Sequence, residues 1–179
     1  MRIGIDISQT AYTGTGVANY LSELVDNLLE IDKKNEYVLF FSSLRKSLDP
    51  EFLKHQKNPK VELKSLKFPP SFLEIIWNRL HIFPIERLVG HVDLFISSDW
   101  IEPPAERAKK ATIIYDLIAF KHPAETDSKI VKTQKRKLKW VNKETDLVFT
   151  ISESSKKDIQ EILKIDSDKI KVIYPGLSI

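Results

Sequence analysis

The sequence predicts an α/β protein, a parallel sheet with helices on both faces. Three observations lead there. Short apolar runs rich in Ile, Val, Leu and Phe alternate along the chain with runs of helical periodicity. Most of those short runs are apolar throughout, as strands covered on both faces are. The chain also opens on a strand, a glycine loop and a helix: Arg2-Ile3-Gly4-Ile5-Asp6, a polar loop, then Thr13-Gly14-Thr15-Gly16. At 179 residues the chain suits one domain with a full core.

Taken in order, Ile3 and Ile5 lie in a buried strand near the N-terminus. Gly14 and Gly16 free the backbone of the following loop, and Thr15 is placed to cap a helix. Val17, Tyr20, Leu21, Leu24, Val25, Leu28 and Leu29 recur at three- and four-residue spacing, an amphipathic helix ending near Asp32 to Asn35. Tyr37 to Phe41 reads as a buried strand and Pro50 to Gln56 as a short helix. Val61 to Leu66 alternates, as a strand with one wet face does. Pro69-Pro70 breaks the chain, Ser71 is positioned to cap a helix through Leu80, and Pro84 restarts it before Ile85 to Val89. Asp93 to Ser97 and Ala111 to Tyr115 are strands, separated by the extended stretch Ser98 to Pro104. A loop from Asp116 to Thr126 leads to a basic helix from Asp127 to Lys143. Leu147 to Ile151 is a strand, Ser152 caps a helix from Glu153 to Leu163, and Lys169 to Ile173 is the last strand.

Bulk composition excludes several classes. Hydrophobic content of 42%, charged content of 30% and a net charge of +3 describe an ordinary globular protein, without the strong basic balance of a nucleic-acid binder. No cysteine is present, which rules out disulfides, thiol catalysis and Cys-based zinc sites. His55, His81, His91 and His122 are scattered without metal-ligand spacing, so no metal site is expected. There is no signal peptide pattern and no run long enough to span a bilayer. The expected location is the cytoplasm, with peripheral contact at the inner membrane face as an addition to it.

In such folds ligands bind at the carboxyl ends of the strands. The loops after Asp6, Ser97, Tyr115 and Ile151 should therefore share one rim. Several segments along that rim are similar to one family. They are Arg2 to Asp6 with Gly14-Thr15-Gly16, Val92-Asp93-Leu94-Phe95, Ile113-Ile114-Tyr115-Asp116-Leu117 with Pro123, Val148 to Ile159, and Lys171-Val172-Ile173-Tyr174-Pro175-Gly176. The chain resembles the N-terminal, acceptor-side domain of family 4 glycosyltransferases, retaining enzymes with two Rossmann-like domains in the GT-B architecture. The resemblance implies one half of a GT-B fold over residues 1–179. It also implies a nucleotide-sugar co-substrate, an acceptor that is a glycan or a lipid-linked group, and no bound cofactor. The second domain, which holds most of the nucleotide-sugar contacts, is expected from a separate chain. One departure concerns chemistry: the family usually has a histidine where this chain has Tyr115.

The resemblance assigns Gly14, Thr15 and Gly16 to the donor diphosphate, through the N–H groups and partial charge of a helix N-terminus. Spacing alone supports only a turn and a cap. It excludes a dinucleotide fingerprint, because seven residues separate Asp6 from Gly14 and the third glycine position is Asn19. Asp116 is a candidate for orienting an acceptor hydroxyl, or else begins an Asx-type loop. Tyr115 is a candidate hydrogen-bond donor, or else a buried tyrosine; a phenol cannot replace an imidazole base near neutral pH. Asp99 and Glu102 could hold sugar hydroxyls and Trp100 could stack on the sugar, or else all three belong to a loop pinned by the tryptophan and by Pro103-Pro104. Glu153 follows the Ser152 cap at a position the family uses for sugar contact. Glu153 and Glu161 spell the family's Glu-x7-Glu, but they lie ~80° apart around one helix and ~12 Å along it, in the wrong domain.

At about 100° per residue, Lys132, Lys135, Arg136, Lys139 and Lys143 share one arc of roughly 100°, with Ile130, Val131, Leu138 and Val141 near the other side. That face suits an anionic surface, and equally a solvated helix exterior. The expected function is acceptor binding and assistance to sugar transfer, with little activity in the isolated domain. The rival is a non-catalytic binding or scaffold protein of the same fold.

Overall fold

The computed structural model describes residues 1–176. At its centre lies a seven-stranded sheet in the order β3-β2-β1-β4-β5-β6-β7, with every neighbouring pair parallel. The strands are β1 Arg2–Asp6, β2 Glu36–Ser42, β3 Val61–Leu66, β4 Leu94–Ser98, β5 Lys109–Ile113, β6 Leu147–Thr150 and β7 Ile170–Val172. The helices are α1 Gly16–Ile31, α2 Pro50–Leu53, α3 Pro70–Leu73, α4 Glu86–Val89, α5 Ile118–Lys121, α6 Ser128–Glu144 and α7 Glu153–Leu163. The order of the strands reverses between β1 and β4, so a crevice is expected at their carboxyl ends.

Local chemistry explains the long helices. Thr15 Oγ1 accepts the Ala18 N–H at 3.2 Å, Asp127 Oδ1 accepts the Lys129 N–H at 2.7 Å, and Ser152 Oγ accepts the Ser155 N–H at 3.0 Å. Each bond satisfies a donor that the first helical turn leaves open. Ser71, in contrast, does not cap α3. Pro69 is the cap and Pro70 the first helical residue, where a fixed φ and a missing N–H cost nothing. The helix then loosens into a π-helical turn over Glu74–Leu80, and His81 ends it in the left-handed region at φ 52°. The expected strand at Ala111 to Tyr115 ends at Ile113, which leaves Tyr115 and Asp116 in the loop; that loop contains α5.

One face of the sheet is apolar across its centre. Tyr20, Leu21 and Val25 of α1 pack there on Ile5, Leu39, Ile96 and Ile113. The other face carries two separate clusters. Val38, Phe40 and Phe95 lie under Leu73, Trp77 and Ile85, while Val148 and Ile170 lie under Leu138, Val141 and Ile159. Gly4 sits in β1 beneath the first of these. A Cβ there would meet Phe95 Cδ2 at 2.6 Å, and Phe95 is itself buried. Gly4→Ala is expected to cost about 1–3 kcal/mol through overpacking, read as a lower urea midpoint with an unchanged slope.

Candidate functional site at the carboxyl rim

Between the two clusters the sheet is polar. Side chains alternate along a strand, so Asp6, Ser97 and Thr112 point to the face that α6 covers. Register lines them up. Ile5 pairs with Ile96, which puts Asp6 beside Ser97, and Ser97 pairs with Thr112. Phe40 and Val148 bound this row on its two sides. Ser97 Oγ donates to Glu102 Oε2 at 2.5 Å and lies 2.8 Å from Thr112 Oγ1. Lys110 Nζ sits 3.1 Å from Glu102 Oε1 and 3.2 Å from Glu144 Oε2.

The loop after β4 is held rigidly over this row. Asn78, buried on the π-helical turn, accepts the Glu102 N–H at 2.9 Å and donates to the Trp100 carbonyl at 2.7 Å. Asp99 takes the left-handed conformation at φ 50°, a strained backbone for a residue with a side chain. Gln134 of α6 donates to its carbonyl at 3.2 Å.

Asp6 and Lys137 are the most unusual groups here, each 1% exposed. Asp6 Oδ1 accepts the Ser8 N–H at 2.9 Å, while Oδ2 is buried with no hydrogen-bonding partner among the described residues. Burial pushes the Asp6 carboxyl up to about 6, against the pull of the Ser8 bond and of Lys137. Burial also lowers the Lys137 ammonium below the usual lysine range, opposed by Glu102, Asp99 and Asp6. Asp99 is raised by burial and by Asp116, with Lys137 working against both. Lys137 is thus a buried cation under the field of three carboxylates, with no ion pair to any of them among the described residues.

Cavities open on both sides of Trp100. One of about 270 Å³ is lined by Val17, Asp99, Tyr115, Asp116, Gln134 and Lys137 among others. A second of about 150 Å³ is lined by Asp6, Ser8, Tyr12 and Ser42. A third of about 390 Å³ runs between Glu74 and Arg79 on one side and Lys132 and Arg136 on the other. Trp100 lines all three.

The residues singled out in the sequence fall into distinct places. Asp99, Trp100, Tyr115 and Asp116 share the first cavity. Tyr115 is buried, its hydroxyl 3.0 Å from Ser98 Oγ and its ring edge-on to Tyr20, and burial raises its phenol well above the tyrosine range. Asp116 is exposed, and its Oδ1 accepts the Ile118 N–H at 3.0 Å, the Asx-type loop start. Glu153 is exposed in the first turn of α7 and lines none of the three cavities.

Gly14, Thr15 and Gly16 are exposed where α1 begins. Only Gly14 has a positive φ, at 82°; Gly16 takes no such angle, and a Cβ on either meets nothing within 4 Å. Gly14→Ala is expected to cost about 1–2 kcal/mol, and Gly16→Ala less than about 0.5 kcal/mol, compared by urea denaturation. Gly16→Ala is therefore the clean probe of ligand contact at this loop.

The basic face of α6 is less free than the helical wheel suggests. Glu74 faces it: Arg136 Nη1 lies 2.7 Å from Glu74 Oε1. Lys139 and Lys143 sit over the Trp140 ring at 5.0 and 5.1 Å. Lys110 and Lys137 were not marked by any motif, whereas Asp6 ends the opening segment and Glu102 lies in the loop after β4 that the sequence singled out. Lys137 did leave a signal, since at about 100° per residue it falls about 20° from Ile130 and about 40° from Val141, beside the apolar side and away from the basic arc.

The family model of glycosyltransferase family 4 matches residues 14–179. The chain belongs to that family. Its sheet and helices form the Rossmann-like half of a GT-B fold. Two solved structures share the fold of this family 4 domain. One is a histidine-to-asparagine variant of the wall teichoic acid polymerase TagF, with TM-score 0.51 at 10% identity over 98% of this chain and 38% of that one. The other is the same variant soaked with CDPG, with TM-score 0.52 at the same identity and coverage. The family 4 domain thus spans 38% of the length of these structures. A comparison with curated proteins found no match. Among the described residues no helix is long and apolar enough to cross a membrane.

Proposed function

We propose that this domain is the acceptor-side half of a retaining glycosyltransferase. The observation that carries the reading is the first rim cavity. There Asp99, Asp116 and the Lys137 ammonium converge beside Trp100, and Val17 joins that wall to the start of α1. A carboxylate-lined, partly apolar cavity with an indole wall suits a sugar or polyol, whose hydroxyls donate to the acids while a ring face lies on the tryptophan. The exposed start of α1 at Gly14 to Gly16 faces a diphosphate, which a second domain holds for the most part. In the reaction an acceptor hydroxyl oxygen bonds to the anomeric carbon as the bond from that carbon to the diphosphate breaks, and the hydroxyl proton leaves with the departing diphosphate. Closure of two halves orients both substrates and excludes water, so one half alone is nearly inactive. The co-substrate is a nucleotide sugar, and no metal is needed to explain the rim.

The test is transfer of radiolabelled sugar from a panel of nucleotide sugars, by the 179-residue chain alone and with a nucleotide-sugar domain added. Transfer only in the mixture is the expected result, with Asp99→Asn and Asp116→Asn each about tenfold slower. Robust transfer by the chain alone overturns the two-part site. One observation favours a second reading, a binding or scaffold role: Tyr115 is sealed on Ser98 and Tyr20, so it offers no base. Saturable acceptor binding with no transfer in the mixture supports that reading instead.

A further inference from the structure

The stretch from Phe72 to Phe83 carries large apolar side chains out of the protein. Phe72, Ile75, Leu80, Ile82 and Phe83 are between 41% and 57% exposed. The same stretch already buries Leu73 and Trp77 against the sheet. It is therefore apolar on two sides, and the core needs only one. An adjoining cavity of about 250 Å³ is lined entirely by apolar residues, including Phe68, Phe72, Ile76 and Phe83. Contiguous exposed patches of this kind mark interaction surfaces.

What borders the patch identifies its partner. Helix α6 is fastened alongside: Trp140 Nε1 donates to the Asn78 carbonyl at 2.9 Å, and the Trp140 ring stacks on His81 at 3.6 Å. The outward arc of α6 presents Lys129, Lys132 and Lys135 to solvent. Glu74 is the acid in the groove between arc and patch, and it is divided between Arg79 at 2.9 Å and Arg136 at 2.7 Å. The charge left over is positive. An apolar wedge beside a basic belt complements a surface that offers acyl chains and phosphates together.

We propose that this face docks on an anionic lipid bilayer, with Phe72, Ile75 and Leu80 in the acyl–headgroup boundary and Lys129, Lys132 and Lys135 on lipid phosphates. Trp100 lines the groove between these two elements and also the rim cavities. Docking thus turns the rim toward the membrane. The inference needs no transfer activity and stands apart from the proposed reaction.

The test uses the full 179-residue chain and two vesicle types, phosphatidylcholine alone and an equal mixture with phosphatidylglycerol. Co-sedimentation with the anionic vesicles is expected, weakened by salt, with little on the neutral ones. Ile75→Asp with Leu80→Asp, and separately Lys132→Glu with Lys135→Glu, each lower binding about tenfold. All four positions are exposed, and far-UV circular dichroism checks that the fold is kept. Because the chain lacks cysteine, Ile75→Cys can carry an environment-sensitive dye, with Ile31→Cys, 76% exposed on α1, as control. A blue shift at Ile75 but not at Ile31 is expected on anionic vesicles. Failure to bind them overturns the proposal. So does unchanged binding by either double variant, or a shift at Ile31 equal to that at Ile75. A protein partner covering the patch would give the first of these results.

Discussion

Lys137→Met is expected to stabilise the protein by about 1 kcal/mol at pH 7.5. Methionine keeps much of the side chain's volume and apolar stem, so the change reports charge. Burial holds the Lys137 ammonium below the usual lysine range, although Glu102, Asp99 and Asp6 work against it. The folded state therefore binds that proton less tightly than the unfolded state does. The charge is carried at a cost below the folded pKa, and the cost disappears as pH rises past the ordinary lysine value. Among the described residues Lys137 makes no hydrogen bond or ion pair that methionine would break. Its loss also removes a charge that pulls the Asp6 carboxyl down, so Asp6 should ionise at higher pH in the variant. Urea denaturation at pH 7.5 and melting temperatures from pH 4 to pH 8 check this. A second variant, Lys137→Met with Asp6→Asn, should gain more than the sum of the single changes, because their mutual attraction is then lost only once. A loss above about 2 kcal/mol at pH 7.5 would mean that the attraction of the three acids outweighs burial.

The second large effect has the same sign. Asp6→Asn is expected to stabilise the protein by about 1 kcal/mol at pH 7.5 and to bring no gain at pH 4. The Asp6 carboxyl is raised from 3.8 to about 6. The folded state therefore holds the proton more tightly than the unfolded state. Its contribution to stability is fully present below 3.8 and is lost as pH rises to about 6. At about 1.4 kcal/mol per pH unit the ionised group costs about 3 kcal/mol above that range. The asparagine gives some of this back, because it forfeits the attraction to Lys137 and buries an amide. Melting temperatures of the two proteins from pH 4 to pH 8 make the comparison. Equal destabilisation across the range would show that Asp6 is not held at a cost. A carboxylate kept ionised against the fold's interest, with an unfilled oxygen beside a cavity, is the pattern of a group retained for binding or chemistry. In the proposed two-part reaction, with a nucleotide-sugar domain added, the same variant should therefore lower transfer while gaining stability.

The architecture was legible because it rests on local physics. Apolar runs of strand length, helical periodicity and the Thr15, Asp127 and Ser152 caps each act within a few residues. The errors were local too. Proline chemistry displaced Ser71 as a cap, and β5 stops two residues short of Tyr115. The site was legible only in part. Asp99, Trp100 and Asp116 sit in loops, where polar and aromatic residues draw notice. Ser97, Thr112 and Lys110 sit in strands, where a single polar residue in an apolar run carries no message, and Asp6 was marked only as the end of its strand.

The sequence by itself determined the strand and helix composition, the parallel fold class, the helix starts and the family. Tertiary structure decided the rest. Parallel register pairs strands far apart in the chain, and it alone sets Asp6, Ser97 and Thr112 side by side. The packing of α6 over that row chose which of its lysines became a buried cation. The π-helical turn brought Glu74 against the face expected to be free, and Asn78 to the loop that Trp100 occupies. Such contacts depend on how elements meet. Spacing along one element cannot encode them, because the charge that matters to each residue lies on another part of the chain.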